Sequence, residues 1–268
     1  MNHSRQGKLS GWLGELRDGF AAVLFPAPCR LCGEPLERAT LLPLCDTCLE
    51  SFLPMPEKVC EVCGLPMEAL ATAGGQRLLC GVCREDFFNF ERARSYAVYD
   101  GALVRAVILL KYEQLAPLGR WFAERLAEAA ARNGEYLAAD VVVPVPLHRE
   151  RLRQRGYNQA ELIARPLARR LGLPCRSVLL VRTRPRPDKL HLTFEERWSS
   201  VRGAFAARPG SQVDNRRVLL VDDVMTTGAT LDACARALRD AGAKSVVCLT
   251  VARATSHAQP PRNVVLAR

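Results

Sequence analysis

From about residue 91 onward, apolar runs of strand length alternate with longer stretches in which apolar residues recur at helical spacing. The pattern predicts strands over 94–99, 141–145, 218–221 and 245–251, and helices over 103–111, 118–132, 159–171 and 231–241. Strands that alternate with helices indicate an α/β fold, in which helices flank a parallel sheet. The strand over 218–221 is apolar at every position, as expected of a strand that is covered on both faces.

The first 25 residues have a different pattern, which predicts an amphipathic helix. Its apolar side consists of Trp12, Leu13, Leu16, Phe20, Val23 and Leu24. Such a helix either packs on the rest of the protein or lies on a membrane surface. No apolar run reaches the eighteen or so residues that a membrane span needs, and no export signal is recognisable. We therefore expect a cytoplasmic protein without stable membrane insertion.

Eight of the eleven cysteines form four C-x2-C pairs, namely Cys29/Cys32, Cys45/Cys48, Cys60/Cys63 and Cys80/Cys83. In a chain without an export signal, this clustering favours metal binding over disulfide bonds. Two residues between cysteines let both sulfurs reach one metal ion, and two such pairs complete a closed tetrahedral site. We therefore predict two structural Zn²⁺ sites. An iron–sulfur cluster is the alternative, because four thiolates suit it as well.

The spacing leaves open which pairs share a metal ion. Sequential pairing gives two successive ribbons, with twelve residues between the first two pairs and sixteen between the last two. Interleaved pairing, in which Cys29/Cys32 joins Cys60/Cys63, satisfies the same ligand geometry.

Composition and charge change this picture little. With 49% hydrophobic residues the chain is a folded protein of one large or two modest domains, which excludes a disordered tail. The 38 lysines and arginines exceed the 28 acidic residues, for a formal charge of +10. Two zinc ions on eight thiolates would lower this charge to about +6. The basic surface is therefore a weak indication of a polyanionic partner.

A strand, an acid pair and a threonine–glycine loop follow one another in "VLLVDDVMTTGAT", residues 218–230. The loop follows the carboxyl end of a parallel strand, where open α/β sheets bind ligands. Backbone N–H groups at a helix start and threonine hydroxyls donate hydrogen bonds to a phosphate. Asp222 and Asp223 would repel that phosphate, so they must face sugar hydroxyls or a divalent metal. A helix N-cap would explain one of these residues and not the whole set.

This segment resembles the motif by which type I phosphoribosyltransferases bind 5-phosphoribosyl-1-pyrophosphate (PRPP). Four aliphatic residues, two acids and a further aliphatic residue precede threonines around a glycine, and every position here fits. The resemblance implies that Asp222 and Asp223 are the catalytic acids and contact the ribose hydroxyls. It further implies a 5-phosphate site formed by Met225, Thr226, Thr227, Gly228, Ala229 and Thr230.

A second region, residues 143–171, resembles the ComF/GntX-like family, whose R-x-R-G-(F/Y)-N-Q core is present here as residues 153–159. A double zinc ribbon ahead of a type I phosphoribosyltransferase fold is the architecture of the same family. The resemblance therefore implies a double zinc-ribbon domain over 26–90 and a phosphoribosyltransferase-like domain over 91–268, after the helix over 1–25.

Basic residues near the core are the candidates for holding pyrophosphate. Arg153 and Arg155 belong to the core and are ranked above Arg149 and Arg151, which lie in the same run. Lys111 stands in an "LKY" that matches a recurrent family position. The alternative is a lysine that only interacts with the helix dipole at the carboxyl end of a helix.

The chain departs from the family pattern at two positions. Lys189 stands where glutamine is common, and Ser200 where asparagine is common, so the roles of those two family residues are in doubt here.

The family resemblance implies a phosphoribosyltransferase, which is a glycosyltransferase acting on PRPP with Mg²⁺. Pyrophosphate would be displaced at the anomeric carbon by an unidentified acceptor, and relatives suggest a link to DNA uptake in natural competence. The implied partners are PRPP and single-stranded DNA or the DNA-uptake machinery. Two alternatives stay open, a non-catalytic protein that responds to PRPP and a single-stranded DNA-binding protein. Proteins that bind single-stranded DNA commonly stack its bases on aromatic side chains. Only 6% of the residues here are aromatic, so the sequence supports the second alternative less well.

Overall fold

The computed structural model describes residues 28–38, 40–67, 77–132, 134–185, 193–211 and 213–255. The predicted helix over residues 1–25 lies outside these ranges, as does Lys189. Helices and strands in the described ranges are, in chain order, α1 (Asp46–Glu50), β1 (Arg92–Val98), α2 (Gly101–Tyr112), α3 (Pro117–Ala131), α4 (Gly134–Leu137), β2 (Val141–Pro144), α5 (Arg149–Arg155), α6 (Gln159–Leu171), β3 (Leu180–Arg182), α7 (Phe194–Val201), β4 (Phe205–Ala207), β5 (Arg217–Met225), α8 (Ala229–Asp240) and β6 (Ser245–Arg253).

The central sheet has four parallel strands in the order β1-β6-β5-β2, and β3 and β4 form a separate antiparallel pair. Strand β5 is paired on both sides, with Val218 opposite Val141 of β2 and Val246 of β6. Both faces of β5 are buried, which explains why its sequence lacks the alternation of a half-exposed strand. The predicted α/β fold with helices flanking a parallel sheet is confirmed.

Helices cover both faces of this sheet. Leu219 and Val221 of β5 belong to a core shared with α2, α3 and α6, whereas Val218 and Leu220 point to the opposite face and pack with α8. The cysteine-rich segments divide in the same way. The first ribbon, residues 28–38 and 40–53, contributes Leu31 and other residues to the first core, and the second ribbon, residues 59–67 and 77–85, contributes to the second core.

The structure differs from the sequence prediction at β5, which continues to Met225 instead of ending at residue 221. The ladder with β6 is unbroken there, since Asp222 is opposite Thr250 and Met225 is opposite Arg253. Backbone pairing with β6 therefore holds the two acids inside the strand, although their charge suggested a loop. Helices α5 and α7 and the β3–β4 pair were not predicted.

No helix in the described ranges is both long and apolar enough to cross a bilayer.

A close contact between α3 and α6 gives a test of the packing. A Cβ added to Gly119 would lie 2.8 Å from both the Cβ and the carbonyl oxygen of Leu162. Gly119→Ala is expected to lower the free energy of unfolding by about 1–3 kcal/mol, because the two helices must move apart. Gly134→Ala is the control, since nothing lies within 4 Å of the added methyl group. Urea unfolding measures both variants, and equal midpoints would contradict the close packing.

Candidate functional site

A cleft of about 320 Å³ lies at the carboxyl ends of β2 and β5. Most of its lining comes from the end of α2, the segment after β2, helix α5, helix α7 and the stretch from the end of β5 into α8, and Tyr99, Gln159 and Arg182 complete it. The sheet topology predicts this position, because the carboxyl ends of β2 and β5 meet at one edge.

Two adjacent acids form the floor of the cleft. Asp222 and Asp223 are 8% and 3% exposed, and the backbone N–H of Asp223 donates to Oδ1 of Asp222 at 2.9 Å. Lys111, at the end of α2, places its Nζ 2.8 Å from Oδ1 of Asp223. The other oxygen of Asp223, Oδ2, is buried and has no hydrogen-bond partner among the described residues. A buried acceptor of this kind is costly unless a ligand donates to it.

The charges in this cluster are strongly coupled. Burial, and then the negative charge of Asp223, raise the pKa of Asp222 from 3.8 to about 8. Burial by itself would lower the pKa of Lys111, but the attraction of Asp223 outweighs it and the pKa of Lys111 is raised. Asp222 therefore keeps its proton to a higher pH than an ordinary carboxyl group, and Lys111 lies at ion-pair distance from Asp223.

Residues 226–228 form a tight turn that leads into α8; we call residues 226–230 the phosphate loop, after the role that the sequence predicts for them. Gly228 has a φ of +86°, which favours glycine. A Cβ on Gly228 would lie 2.9 Å from Cε of Met225 and 2.9 Å from Cε1 of Phe88. Glycine is therefore required at this position both by the backbone conformation and by the space.

Side chains of the phosphate loop take part in its local hydrogen bonds. The hydroxyl of Thr227 accepts from the backbone N–H of Ala229 at 3.3 Å, at the start of α8. Arg197 of α7 donates to the hydroxyl of Thr226 at 3.3 Å. The positive end of the helix dipole and a guanidinium thus lie beside the loop, which is the electrostatic setting of a phosphate site.

The arginine-rich segment folds as helix α5 along the cleft, and its arginines have different surroundings. Arg151 and Arg155 line the cleft, whereas Arg153 is exposed and is not part of the lining. Arg155 donates to the side chain of Gln159 and lies 4.9 Å from the centre of the Tyr112 ring. Of the five basic residues named from sequence, the cleft therefore brings together Lys111, Arg155 and the lower-ranked Arg151.

The rest of the R-x-R-G-Y-N-Q core has structural roles. Gly156 ends α5 with a φ of +83°. Asn158 caps α6 by accepting from the N–H of Ala160 at 3.1 Å, and its amide donates to the carbonyl of Val145 at 2.9 Å. The Tyr157 hydroxyl donates to the carbonyl of Leu110, the residue before Lys111. The core thus fixes the chain after β2 and the end of α2, so the lysine is held at the cleft.

Away from the cleft, the eight paired cysteines form two groups in sequential order, Cys29/Cys32/Cys45/Cys48 and Cys60/Cys63/Cys80/Cys83. Within each group the sulfurs lie within 4.8 Å of one another, a separation at which four thiolates can surround one metal ion. All four cysteines of the second group are buried, whereas Cys32 of the first is exposed. Of the two pairings left open by the spacing, the structure contains the sequential one.

Comparison with known proteins agrees with both parts of the chain. Residues 20–84 match the model of the double zinc ribbon domain, and residues 158–267 match that of the phosphoribosyl transferase domain. DNA utilization protein YhgH of Salmonella typhi is 32% identical over 225 residues, which cover 82% of this chain and 94% of that protein. The chain belongs to the ComF/GntX-like family.

Two further relatives of this ComF/GntX-like chain are named for competence. Competence protein F of Haemophilus influenzae is 28% identical over 79% of this chain and 90% of that protein. Competence protein ComFC of Bacillus subtilis is 28% identical over 78% of this chain and 84% of that protein.

The double zinc ribbon domain and the two four-cysteine groups together support two zinc sites.

Several residues of the cleft were not among the site residues predicted from sequence. They include Tyr99, Tyr112, His148, Arg182, Arg197 and Ser200, whereas Arg151 was named only as a lower-ranked candidate. Arg182 and Arg197 come from β3 and α7, which the hydrophobic pattern did not predict. Ser200, at a position where ComF/GntX-like relatives commonly have asparagine, lies in the lining and not on a remote surface.

The raised pKa of Asp222 predicts a stability that depends on pH. Because the pKa is higher in the folded than in the unfolded chain, the bound proton stabilises the fold at low pH, and this contribution is lost as pH rises through about 8. Asp222→Asn has no titratable carboxyl group at this position, so its stability does not fall as this proton is lost. The variant without ligand should therefore gain stability relative to the wild type between pH 6 and pH 8.5, by roughly 1–3 kcal/mol in urea unfolding.

Asp240→Asn is the control for this experiment, because Asp240 is exposed and far along α8. It should change stability equally at both pH values. A difference between Asp222→Asn and wild type that stays constant with pH would contradict the raised pKa.

The cysteine groups predict two zinc ions per chain, and the more exposed first group should lose its ion to a chelator first. Cys32→Ser should reduce the zinc content from two to about one. Cys175→Ser should leave it unchanged, because Cys175 lies outside both groups. Elemental analysis measures the content, and a wild-type chain with one zinc ion would contradict the assignment.

Proposed function

We propose that the protein binds PRPP with Mg²⁺ in this cleft and catalyses displacement of its pyrophosphate by an acceptor. One observation carries the proposal: an acid pair, a phosphate loop and the basic residues Lys111 and Arg155 line the same cleft of a phosphoribosyltransferase fold. The ligand must then carry hydroxyl groups between two anionic ends, and PRPP has that arrangement.

The phosphate loop would hold the 5-phosphate. Its backbone N–H groups lie at the start of α8, and the hydroxyls of Thr226, Thr227 and Thr230 supply further donors. Arg197 approaches the same loop from α7 and would add a charged donor.

The acids would hold the ribose ring. Oδ2 of Asp223 is a buried acceptor without a partner among the described residues, and a ribose hydroxyl would satisfy it. Lys111 stabilises the negative charge of Asp223, so this carboxylate stays an acceptor despite its burial. Asp222 is the acid whose charge is less well compensated. A cationic partner would lower the pKa of Asp222 from about 8, so Asp222 would ionise on binding.

Pyrophosphate would face the basic side of the cleft, at the carboxyl end of β2. Arg151 and Arg155 of α5 both line this side, and guanidinium groups bind phosphate oxygens in pairs. Arg153 is exposed outside the lining, and we propose Arg151 in its place. Lys111 contacts Asp223, and its chain neighbour Tyr112 lies against Arg155, so Lys111 would also attract the leaving group.

Catalysis would follow from position and charge. The loop and the arginines hold the two anionic ends, which fixes the anomeric carbon over the acids. As the bond to pyrophosphate breaks, the sugar becomes positively charged, and the field of Asp222 and Asp223 stabilises that charge. Bound Mg²⁺ would neutralise charge on the departing pyrophosphate; oxygens of PRPP and the acid pair are the ligands at hand.

The names of the relatives suggest where this activity is used. Proteins named for competence and DNA utilization are similar over most of the chain, and we propose that this protein also acts in the uptake or use of DNA. A regulator that binds PRPP without catalysis, or that binds single-stranded DNA, is the second candidate, because a DNA-linked role does not by itself require a reaction.

Calorimetric titration with Mg²⁺–PRPP tests the binding site. The double variant Asp222→Asn/Asp223→Asn should weaken binding about 100-fold or more, because charge-assisted hydrogen bonds to the ribose are lost. Lys111→Ala should weaken it as well, since Asp223 loses its ion pair. Asp240→Asn is the matched control and should bind like the wild type.

Absence of binding by the wild type would overturn the proposal. If PRPP binds, release of pyrophosphate upon addition of nucleobases, amines or single-stranded DNA separates the enzyme from the regulator. Release with one of these acceptors supports the enzyme, and binding without release supports the regulator.

A further inference from the structure

One buried arginine connects the second cysteine group to the phosphate loop. Arg253, the last residue of β6, is 2% exposed. Its guanidinium donates to the carbonyl of Met225 at 3.1 Å and to the carbonyl of Thr226, at the start of the loop. On its other side, Nε donates to the carbonyl of Cys63 at 3.3 Å, and Nη2 lies 4.0 Å from the sulfur of Cys63.

The charge of Arg253 gives this connection its physical meaning. A buried guanidinium stays charged and needs a compensating negative group. Four thiolates around one Zn²⁺ carry a net charge of −2, and Cys63 belongs to such a group. The second cysteine group with its metal would therefore supply the negative charge that holds Arg253 in place. Without the metal the four cysteines would no longer be held together, and the Cys63 carbonyl that Arg253 contacts would lose its fixed position.

A second contact joins the same two regions. Phe88, which follows the second ribbon, lies against Gly228 so closely that a Cβ there would be 2.9 Å from its ring. The ring is held by its neighbours, since it stacks on Phe90 with 4.5 Å between the ring centres. The conformation of the loop therefore depends on where the segment after the second ribbon lies.

A third contact reaches the first turn of α8. Asn89 donates from its backbone N–H, at 2.7 Å, and from its side-chain amide, at 3.0 Å, to Oδ1 of Asp232. Asp232 is buried, and its own N–H donates to the carbonyl of Gly228 at 2.9 Å. The loop is thus held at its start by Arg253, at Gly228 by Phe88, and at its end by Asn89.

The first cysteine group is connected differently. The first ribbon packs with the core on the side of α2, α3 and α6. Arg30, next to Cys29, pairs with the half-exposed Glu113 at 2.6 Å. This ion pair lies at the end of α2 and not at the phosphate loop.

We propose that the second cysteine group, loaded with its metal, is a structural support of the phosphate loop, and that Arg253 is the positioning residue between them. Loss of metal from this group would loosen the loop and lower the affinity for PRPP, whereas loss from the first group would not. The consequence for PRPP rests on the proposed function; the support of the loop does not.

The test compares Arg253→Met, Arg253→Lys and the control Arg30→Met, each with its zinc content measured. Hydrogen exchange of residues 224–231 reports on the loop without any ligand. It should be at least about tenfold faster in Arg253→Met than in the wild type and unchanged in Arg30→Met. Arg253→Lys keeps a charged donor and should restore much of the protection. Unfolding in urea verifies that the variants remain folded.

Affinity for Mg²⁺–PRPP should fall about tenfold or more in Arg253→Met, since each lost charge-assisted hydrogen bond has an effect of this size. It should fall less in Arg253→Lys and not at all in Arg30→Met. Partial removal of zinc from the wild type by a chelator tests the role of the metal without a substitution. Loop exchange should then stay slow while the first ion leaves and rise with the second.

The outcomes separate this proposal from the proposed function. Equal loop exchange in Arg253→Met and wild type, or equal effects of Arg253→Met and Arg30→Met, would overturn the support of the loop. Wild-type protein that binds no PRPP would overturn the proposed function. Faster exchange confined to Arg253→Met would then still support the connection between the second group and the loop.

Discussion

Two neighbouring carboxylates are buried at the end of β5, and the surrounding fold compensates their charge. Lys111 does so directly, through its 2.8 Å contact with Asp223. Its position depends on α2, whose last turn is held by the hydroxyl of Tyr157 on the carbonyl of Leu110. The family core therefore contributes to the acid pair without touching it. The pKa of Asp222 stays raised because burial and Asp223 are only partly balanced by Lys111. The partly compensated charge of the buried acids lowers the stability of the fold, and a ligand that brings positive charge or hydroxyl donors would compensate it.

Hydrophobic periodicity predicted the sheet and its main helices because those elements bury continuous faces. It predicted neither α5 nor α7, whose residues are mostly polar or half-exposed and are fixed by tertiary contacts. The predicted end of β5, at residue 221, was wrong for a related reason. Two acids after four aliphatic residues resemble a loop, but pairing with β6 continues to Met225. Strand pairing is a long-range contact, and no local pattern contains it.

The candidate site was predictable where one short segment carries it, and unpredictable where distant segments meet. The phosphate loop lies within residues 218–230, so its residue types and order were sufficient to predict that this segment lines a cleft at the end of a strand. To predict which arginines line the cleft, one must know which face of α5 is turned toward it. Arg151 and Arg155, four residues apart, share that face, while Arg153 lies on another. Arg253 has no signal at all in the sequence, because its role arises from contacts with Cys63 and Thr226.

The two ribbons carry the same cysteine pattern and have different relations to the fold. The first packs with the core on the side of α2, α3 and α6, and the second packs with the core that includes α8. The same pair of C-x2-C motifs therefore does not give the two ribbons the same role. The central claim, that the acid pair and the phosphate loop bind one PRPP molecule, is tested most directly by an experimental structure with Mg²⁺–PRPP. The account predicts the 5-phosphate at residues 226–230 and the ribose hydroxyls on Asp222 and Asp223. PRPP bound elsewhere, or with its pyrophosphate in the loop, would contradict it.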